Sequence, residues 1–175
     1  LIYLLKRAKI SSPCLTKFAL YTKIVYMKIA FGCDHGGFKV KEAVVSHLKN
    51  AGYEVIDFGT FDEDSCDYPD YALKVAKSVA SGEAEKGVLI CGTGIGMSIA
   101  ANKVKNVRCA HVNDAFSAEF TRRHNDSNVI ALGARIATVD DIIKYIDIFL
   151  STPFEGGRHE RRVNKISQIE SEFFK

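Results

Sequence analysis

From Met27 onward, short apolar runs alternate with helical periodicities, and this alternation is the strongest constraint on what the chain can become. Lys28 to Cys33 reads as a strand ending at Asp34-His35-Gly36-Gly37. Phe38 to Asn50 follows with Val40, Val44 and Leu48 at four-residue spacing, a helix closed by Gly52. Tyr53 to Phe58 is a second strand, and the polar loop from Gly59 to Pro69 leads to a helix capped by Asp70 and running through Ala80. Its inward face is expected to hold Ala72, Leu73, Ala76, Val79 and Ala80. Gly87 to Cys91 is a third strand, followed by a helix from Ser98. Val107 to Val112 and Asn128 to Leu132 supply two more strands, separated by a helix from Asp114 to Arg123. Thr138 caps a helix that turns Val139, Ile142, Ile143, Ile146, Phe149 and Leu150 inward. The last helix, Glu160 to Phe174, carries Val163, Ile166, Ile169 and Phe173 in register. Such alternation predicts one α/β domain with a parallel sheet covered on both faces. Ligands of these sheets lie at the carboxyl ends of the strands, where strand order reverses. Asp34-His35, Cys91 and Gly133-Ala134-Arg135 stand at those ends.

Composition narrows the chemistry. The net charge of +3 is carried by the first 26 residues, which hold Lys6, Arg7, Lys9, Lys17 and Lys23 and no acid. The remainder has nineteen basic and twenty-one acidic residues, a balance of −2 that argues against a nucleic-acid footprint. No apolar run approaches the ~18 residues of a membrane span. Five cysteines, at 14, 33, 66, 91 and 109, form neither a CxxC nor a disulfide framework, so reduced thiols in a cytoplasm are expected. The five histidines lack metal-binding spacing, and no metal or cofactor is expected. Residues 1–26 read as a basic extension outside the fold, either a transit peptide or an upstream over-extension of the gene start; the domain is expected to span 27–175.

The segment Cys91-Gly92-Thr93-Gly94-Ile95-Gly96-Met97-Ser98 places a thiol at a strand end, just before bare backbone amides and a helix start. A thiolate is favoured beside converging N–H groups, and the same groups can hold an oxyanion after a proton is removed. The loop is not a Walker A motif, because Met97-Ser98 follows the last glycine where Lys-Ser/Thr is needed. Nor is it a dinucleotide fingerprint, being Gly-x-Gly-x-Gly after the third strand. Cys33 and Cys109 lack this setting and read as packing residues.

Two polar clusters remain. Arg122-Arg123-His124-Asn125-Asp126-Ser127-Asn128 precedes an apolar strand, and Gly156-Gly157-Arg158-His159-Glu160-Arg161-Arg162 opens the last helix. Arg158 and Arg162 are four apart, so on a helix they share a face and can grip one phosphate. Arg122, Arg123 and Arg161 read as surface charges, and His47 as a solvent-facing helix residue; His111 ends the fourth strand without a motif to give it a role.

Together with Asp34-His35-Gly36-Gly37 and Asp67-Tyr68-Pro69, these segments resemble ribose-5-phosphate isomerase type B, in unbroken order from Met27 to the C-terminus. The resemblance implies a Rossmann-like three-layer sandwich with a five-stranded doubly wound sheet. Its C-terminal helix would extend onto a partner subunit. It also implies metal-independent interconversion of ribose 5-phosphate and ribulose 5-phosphate through an enediolate. Cys91 would then move the proton between C1 and C2, and His124, assisted by Asp34, would open the furanose ring. Thr93 would relay protons. Gly92, Gly94, Ile95, Gly96 and Asn125 would donate to the enediolate oxygen. His35, Arg135, Arg158 and Arg162 would hold the phosphate and outer hydroxyls, and Tyr68 would line the pocket. The resemblance further implies a homodimer with shared sites, His124 of one subunit facing Cys91 of the other, with pairs of dimers also known.

The nearest rival is an isomerase of a six-carbon phosphate such as galactose 6-phosphate or allose 6-phosphate. Galactose-phosphate forms resemble hetero-oligomers that divide the catalytic groups between two chains. Here Cys91 and His124 occur in one chain, which favours the pentose enzyme. A non-catalytic sugar-phosphate sensor is the rival from another class, and the retained thiol and imidazole argue against it.

Overall fold

The computed structural model describes residues 26–173. The expectations for residues 1–25, including Cys14, lie outside them. The element order is β1 (Lys28–Cys33), α1 (Phe38–Asn50), β2 (Glu54–Asp57), α2 (Tyr68–Ala80), β3 (Lys86–Cys91), α3 (Ile95–Ala101), β4 (Cys109–His111), α4 (Ala115–Asn125), β5 (Val129–Gly133), α5 (Val139–Ser151) and α6 (Arg158–Phe173). The sheet has five strands in the order β2-β1-β3-β5-β4, and every pairing is parallel. No helix among the described residues is long and apolar enough to cross a membrane.

Because side chains alternate across a strand, each strand feeds two cores. Phe31, Val88, Ile90, Ile130 and Leu132 pack against α1 and α5, where Val44, Leu48, Ile142, Ile146 and Phe149 are fully buried. Ala30, Leu89, Cys91 and Ala131 point the other way, onto Ala72, Val75, Ala76, Met97 and Ala101 of α2 and α3. The helices following β1 and β3 therefore leave neighbouring strands toward opposite faces. That divergence opens a crevice at the carboxyl ends of β1 and β3, the place a doubly wound sheet offers a ligand.

Several boundaries differ from the sequence expectation. α2 starts at Tyr68, with Asp67 in the cap position and Asp70 inside the first turn. Pro69 explains the shift, since its fixed φ and missing N–H suit a helix's first turn. α3 starts at Ile95, three residues before Ser98, because Gly94 turns the chain with φ of 81°. β2 and β4 are shorter than expected, and α6 begins at Arg158 after two positive-φ glycines. Thr138 does cap α5, its Oγ1 accepting the Asp141 N–H at 3.2 Å. On α2 the buried face takes Val75, and Leu73 is exposed. On α6 only His159 and Val163 are buried, while Ile166, Ile169 and Phe173 face outward. His47 is not free in solvent: its Nε2 lies 2.8 Å from the Asp147 carboxylate and ties α1 to α5.

Candidate active site

Cys91 ends β3 and is only 5% exposed. Its sulfur accepts a hydrogen bond from the Gly94 N–H at 3.0 Å. Cys33 has the Thr60 amide and Lys41 beside it and Cys109 the Ser98 hydroxyl, but burial outweighs these partners. Burial pushes Cys33 and Cys109 up to about 12, so both stay protonated packing groups, as expected.

The loop after β1 meets the loop after β3 backbone to backbone. A Cβ on Gly36 would fall 2.8 Å from the Gly92 nitrogen, a contact only glycine allows. Beside it, the buried Asp34 carboxylate accepts the Gly37 N–H at 3.2 Å. His35 accepts the Cys66 N–H at Nδ1, 3.2 Å away, so the neutral ring carries its proton on Nε2 and can donate there. Tyr68 comes from the start of α2 and lies against α3: a Cβ on Gly96 would sit 2.7 Å from its ring. Arg135 follows β5, donates its N–H to the Gly92 carbonyl at 3.0 Å, and runs its side chain over Gly92. Thr93 and Ile95 are exposed at the rim, with the Ile95 N–H 3.4 Å from Thr93 Oγ1. Asp34, His35, Tyr68, Gly92, Thr93, Gly94, Ile95, Gly96 and Arg135 thus lie at the edge of the sheet where β3 ends in Cys91.

His124, Asn125, Arg158 and Arg162 do not join them within one chain. Strand register fixes the directions: Cys91 pairs with Gly133 at the carboxyl end and Gly87 with Val129 at the amino end. Those ends are about 13 Å apart at about 3.3 Å per residue. α4 runs back toward the amino end, where the Asn125 and Asp126 carbonyls accept from the Arg108 guanidinium just before β4. His124 and its neighbours therefore occupy the opposite edge from Cys91.

There the His124 ring stacks on His159, centroids 4.0 Å apart and planes within 5°. The Glu155 carboxylate lies 3.7 Å from His124 Nε2 and 3.6 Å from His159 Nε2. Arg123 grips the same carboxylate, which holds Glu155 below the usual carboxylate range. Arg158 donates from Nε to His159 Nε2 at 3.2 Å. Burial, then the nearby His124 and Arg158 charges, keep His159 below the ordinary imidazole value. One donor atom from each of His124, Glu155 and His159 lies within 4.8 Å of the others. The arginines take up Glu155 Oε1 and His159 Nε2, while Glu155 Oε2 faces both imidazoles.

One expectation needs correction. Arg122 is not a surface charge: it is 6% exposed and bonds Asp126 at 2.8 Å and the Thr152 carbonyl at 3.3 Å. Arg123 bridges Glu119 and Glu155. His111, without a motif in the sequence, has its Nε2 2.8 Å from the Thr93 carbonyl oxygen. No spacing signals that contact, because it depends on β5 lying between β3 and β4.

Comparison with known proteins decides the family. Residues 29–166 match the family model described as Ribose/Galactose Isomerase. The chain belongs to the ribose/galactose isomerase family. Ribose-5-phosphate isomerase B of Escherichia coli (strain K12) is 49% identical over 143 residues, 82% of this chain and 96% of that protein. The structure of Clostridium thermocellum ribose-5-phosphate isomerase B has a TM-score of 0.83 at 50% identity, covering 84% of this chain and 99% of that one. A Mycoplasma genitalium ribose-5-phosphate isomerase B, solved with bound ribulose-5-phosphate, has a TM-score of 0.80 at 41% identity, covering 83% and 97%. The family resemblance seen in the motifs is therefore borne out, as is the five-stranded parallel sheet.

Proposed function

We propose the following mechanism for an aldose–ketose isomerase that interconverts ribose 5-phosphate and ribulose 5-phosphate, an activity supported by the names and extents of its relatives. His124 and Asp34 open the furanose, one group taking the anomeric hydroxyl proton while the other protonates the ring oxygen. The Cys91 thiolate then removes the proton from C2 of the open aldose, leaving an enediolate. The amides of Gly92, Ile95 and Gly96, with Asn125, hold the developing oxyanion while the Gly94 N–H stays on the Cys91 sulfur, and Thr93 passes a proton between the sugar oxygens. Cys91 returns its proton to C1, giving the ketose with no net change of atoms. His35, Arg135, Arg158 and Arg162 hold the phosphate and outer hydroxyls; arginine forks match phosphate oxygens, and binding remote from the reacting carbons fixes their geometry. Tyr68 walls the pocket.

One observation carries this reading: Cys91 accepts the Gly94 N–H at the topological switch of the sheet. Replacing Cys91 by Ala is expected to abolish turnover while ribulose 5-phosphate still binds by calorimetry. Retained turnover would remove the thiol from the mechanism.

The separation of Cys91 and His124 supports a homodimer in which each site takes Cys91 from one subunit and His124 from the other. Ile95, Ile99, Phe116, Ile166, Ile169 and Phe173 are exposed apolar groups that a second copy would cover, consistent with α6 reaching onto a partner. Pairs of such dimers would form a tetramer. Mixing inactive Cys91→Ala and His124→Ala subunits tests this directly. Random two-fold pairing should restore about a quarter of wild-type activity, whereas sites made within one chain would restore none. The four free cysteines among the described residues support a reducing, cytoplasmic setting.

A further inference from the structure

His111 has no part in the mechanism above, yet it touches the loop on which that mechanism depends. Its Nε2 is 2.8 Å from the Thr93 carbonyl oxygen. A carbonyl only accepts, so Nε2 must carry the proton and donate. The Thr93 carbonyl and the Gly94 N–H belong to one peptide unit, which is planar and trans here. They point to opposite sides of it. On the far side, the Gly94 N–H donates to the Cys91 sulfur at 3.0 Å. His111, one peptide plane and Cys91 thus form a continuous chain of hydrogen bonds.

The packing leaves that plane little choice. A Cβ on Gly133 would fall 2.8 Å from the Thr93 carbonyl carbon and oxygen, so glycine there lets the β3 loop cross over β5. Beyond β5 the loop meets His111, the last residue of β4, paired in register with Ala131. A Cβ on Gly94 would lie 2.9 Å from His111 Cδ2, so the imidazole also abuts the loop. A donor on a peptide's carbonyl fixes the plane's rotation and, by polarising the amide, strengthens the bond its N–H makes.

We propose that His111 is a positioning residue for proton transfer: by bonding the Thr93 carbonyl it aims the Gly94 N–H at the Cys91 sulfur. This rests on Cys91 being the base. Its effect belongs to the chemical step and not to phosphate binding, because these hydrogen bonds run only through His111, the Thr93–Gly94 peptide and Cys91, and Arg135 bonds the separate Gly92 carbonyl.

The test compares His111→Leu, which removes the donor, with His111→Gln, whose side-chain N–H reaches the place of Nε2, and His111→Asn, whose reach is too short. His111→Leu and His111→Asn should lower kcat about tenfold with KM within about twofold. Both should enlarge the isotope effect on 2-deuterated ribose 5-phosphate and slow alkylation of Cys91 by iodoacetamide, followed peptide by peptide with Cys33 and Cys109 as silent controls. His111→Gln should restore all three readings to within about threefold of wild type. If His111→Leu does not fold, the contrast between Gln and Asn decides. Equal behaviour of those two, or a fall in kcat with unchanged isotope effect and alkylation, overturns the proposal. If Cys91→Ala is inactive while His111→Leu behaves as wild type, only the role of His111 fails; active Cys91→Ala removes the base itself.

Discussion

The two edges of the sheet hold the two halves of the proposed chemistry, and they are built from different materials. At the carboxyl edge the Cys91 thiol, the proposed base, sits among backbone: amides, a carbonyl and glycines packed so closely that a methyl group would not fit at Gly36 or Gly94. At the amino edge His124 sits among side chains, held by Glu155, Arg123 and the stacked ring of His159. Backbone cannot rearrange without the sheet, so the first edge is preorganised by folding. Side chains on a rim can turn, and the second edge is suited to closing against another molecule. The proposed base, whose geometry must be fixed, lies on the rigid edge.

The largest expected effect comes from breaking the rigid edge. Gly94 holds φ of 81°, and a Cβ there would lie 2.9 Å from the Leu132 carbonyl carbon. Gly94→Val should lower kcat by about 100-fold or more, the loss expected when an amide donor is displaced, while circular dichroism stays near native. Gly156, at the other edge, also has positive φ, at 66°, but nothing within 4 Å of its Cβ position. Gly156→Ala meets strain without crowding, and its kcat should stay within about threefold of wild type. Similar losses at both positions would show that the edges are not built differently.

Next in size is a loss of stability. Arg122 is the one member of the basic cluster turned into the protein, where it joins Asp126, Ser127 and Thr152 beneath the face of Phe149. Arg122→Met leaves Asp126 to Arg108 alone and takes the donor from the buried Ser127 carbonyl, and should cost about 1–3 kcal/mol in urea unfolding. Activity at low temperature should persist, because Arg122 touches no proposed site residue except through the backbone of α4.

Arg122 also marks what the amino-acid order can and cannot reveal. The strands around Ile29, Leu89 and Ile130, and the helix faces of Val44 and Ile146, were legible because burial imposes a period on apolar residues. The loop at Cys91 was legible because its glycines and thiol are adjacent in the chain. Arg122 and Arg123 look alike in sequence, and only the packing of α5 on α4 separates a buried arginine from an exposed one. Ile166 and Ile169 keep a helical register, yet they face outward, since periodicity marks an apolar stripe without saying which molecule covers it. His111 and Thr93 meet because β5 lies between β3 and β4, an order no local pattern encodes.

A smaller effect tests the pliable edge. Glu155→Gln keeps the shape but removes the charge that Arg123 anchors beside both imidazoles. A fall in kcat/KM of about fivefold to tenfold is expected, within the range of a general acid–base contribution. Assayed with ribose fixed open at C1, such as an acyclic analogue, the loss should shrink, because the proposed mechanism assigns His124 to ring opening. An undiminished loss would move Glu155 out of that step.

The smallest effect is a slope in pH. Burial, His124 and Arg158 hold the folded His159 imidazole below its ordinary value of 6.5. The unfolded chain therefore takes up this proton more readily than the folded one. Stability from the neutral ring is complete above about pH 6.5 and drains away as pH falls through that value toward the lower folded one. His159→Gln has no proton to gain, so the decline in Tm between about pH 7.5 and about pH 5.5 should be shallower than in wild type, by about 1–3 °C. Equal slopes would mean that folding leaves the affinity of His159 for its proton unchanged. A slope that steepens in the variant would mean that His159 is stabilised when charged, and that the amino edge holds cations more readily than its arginines suggest.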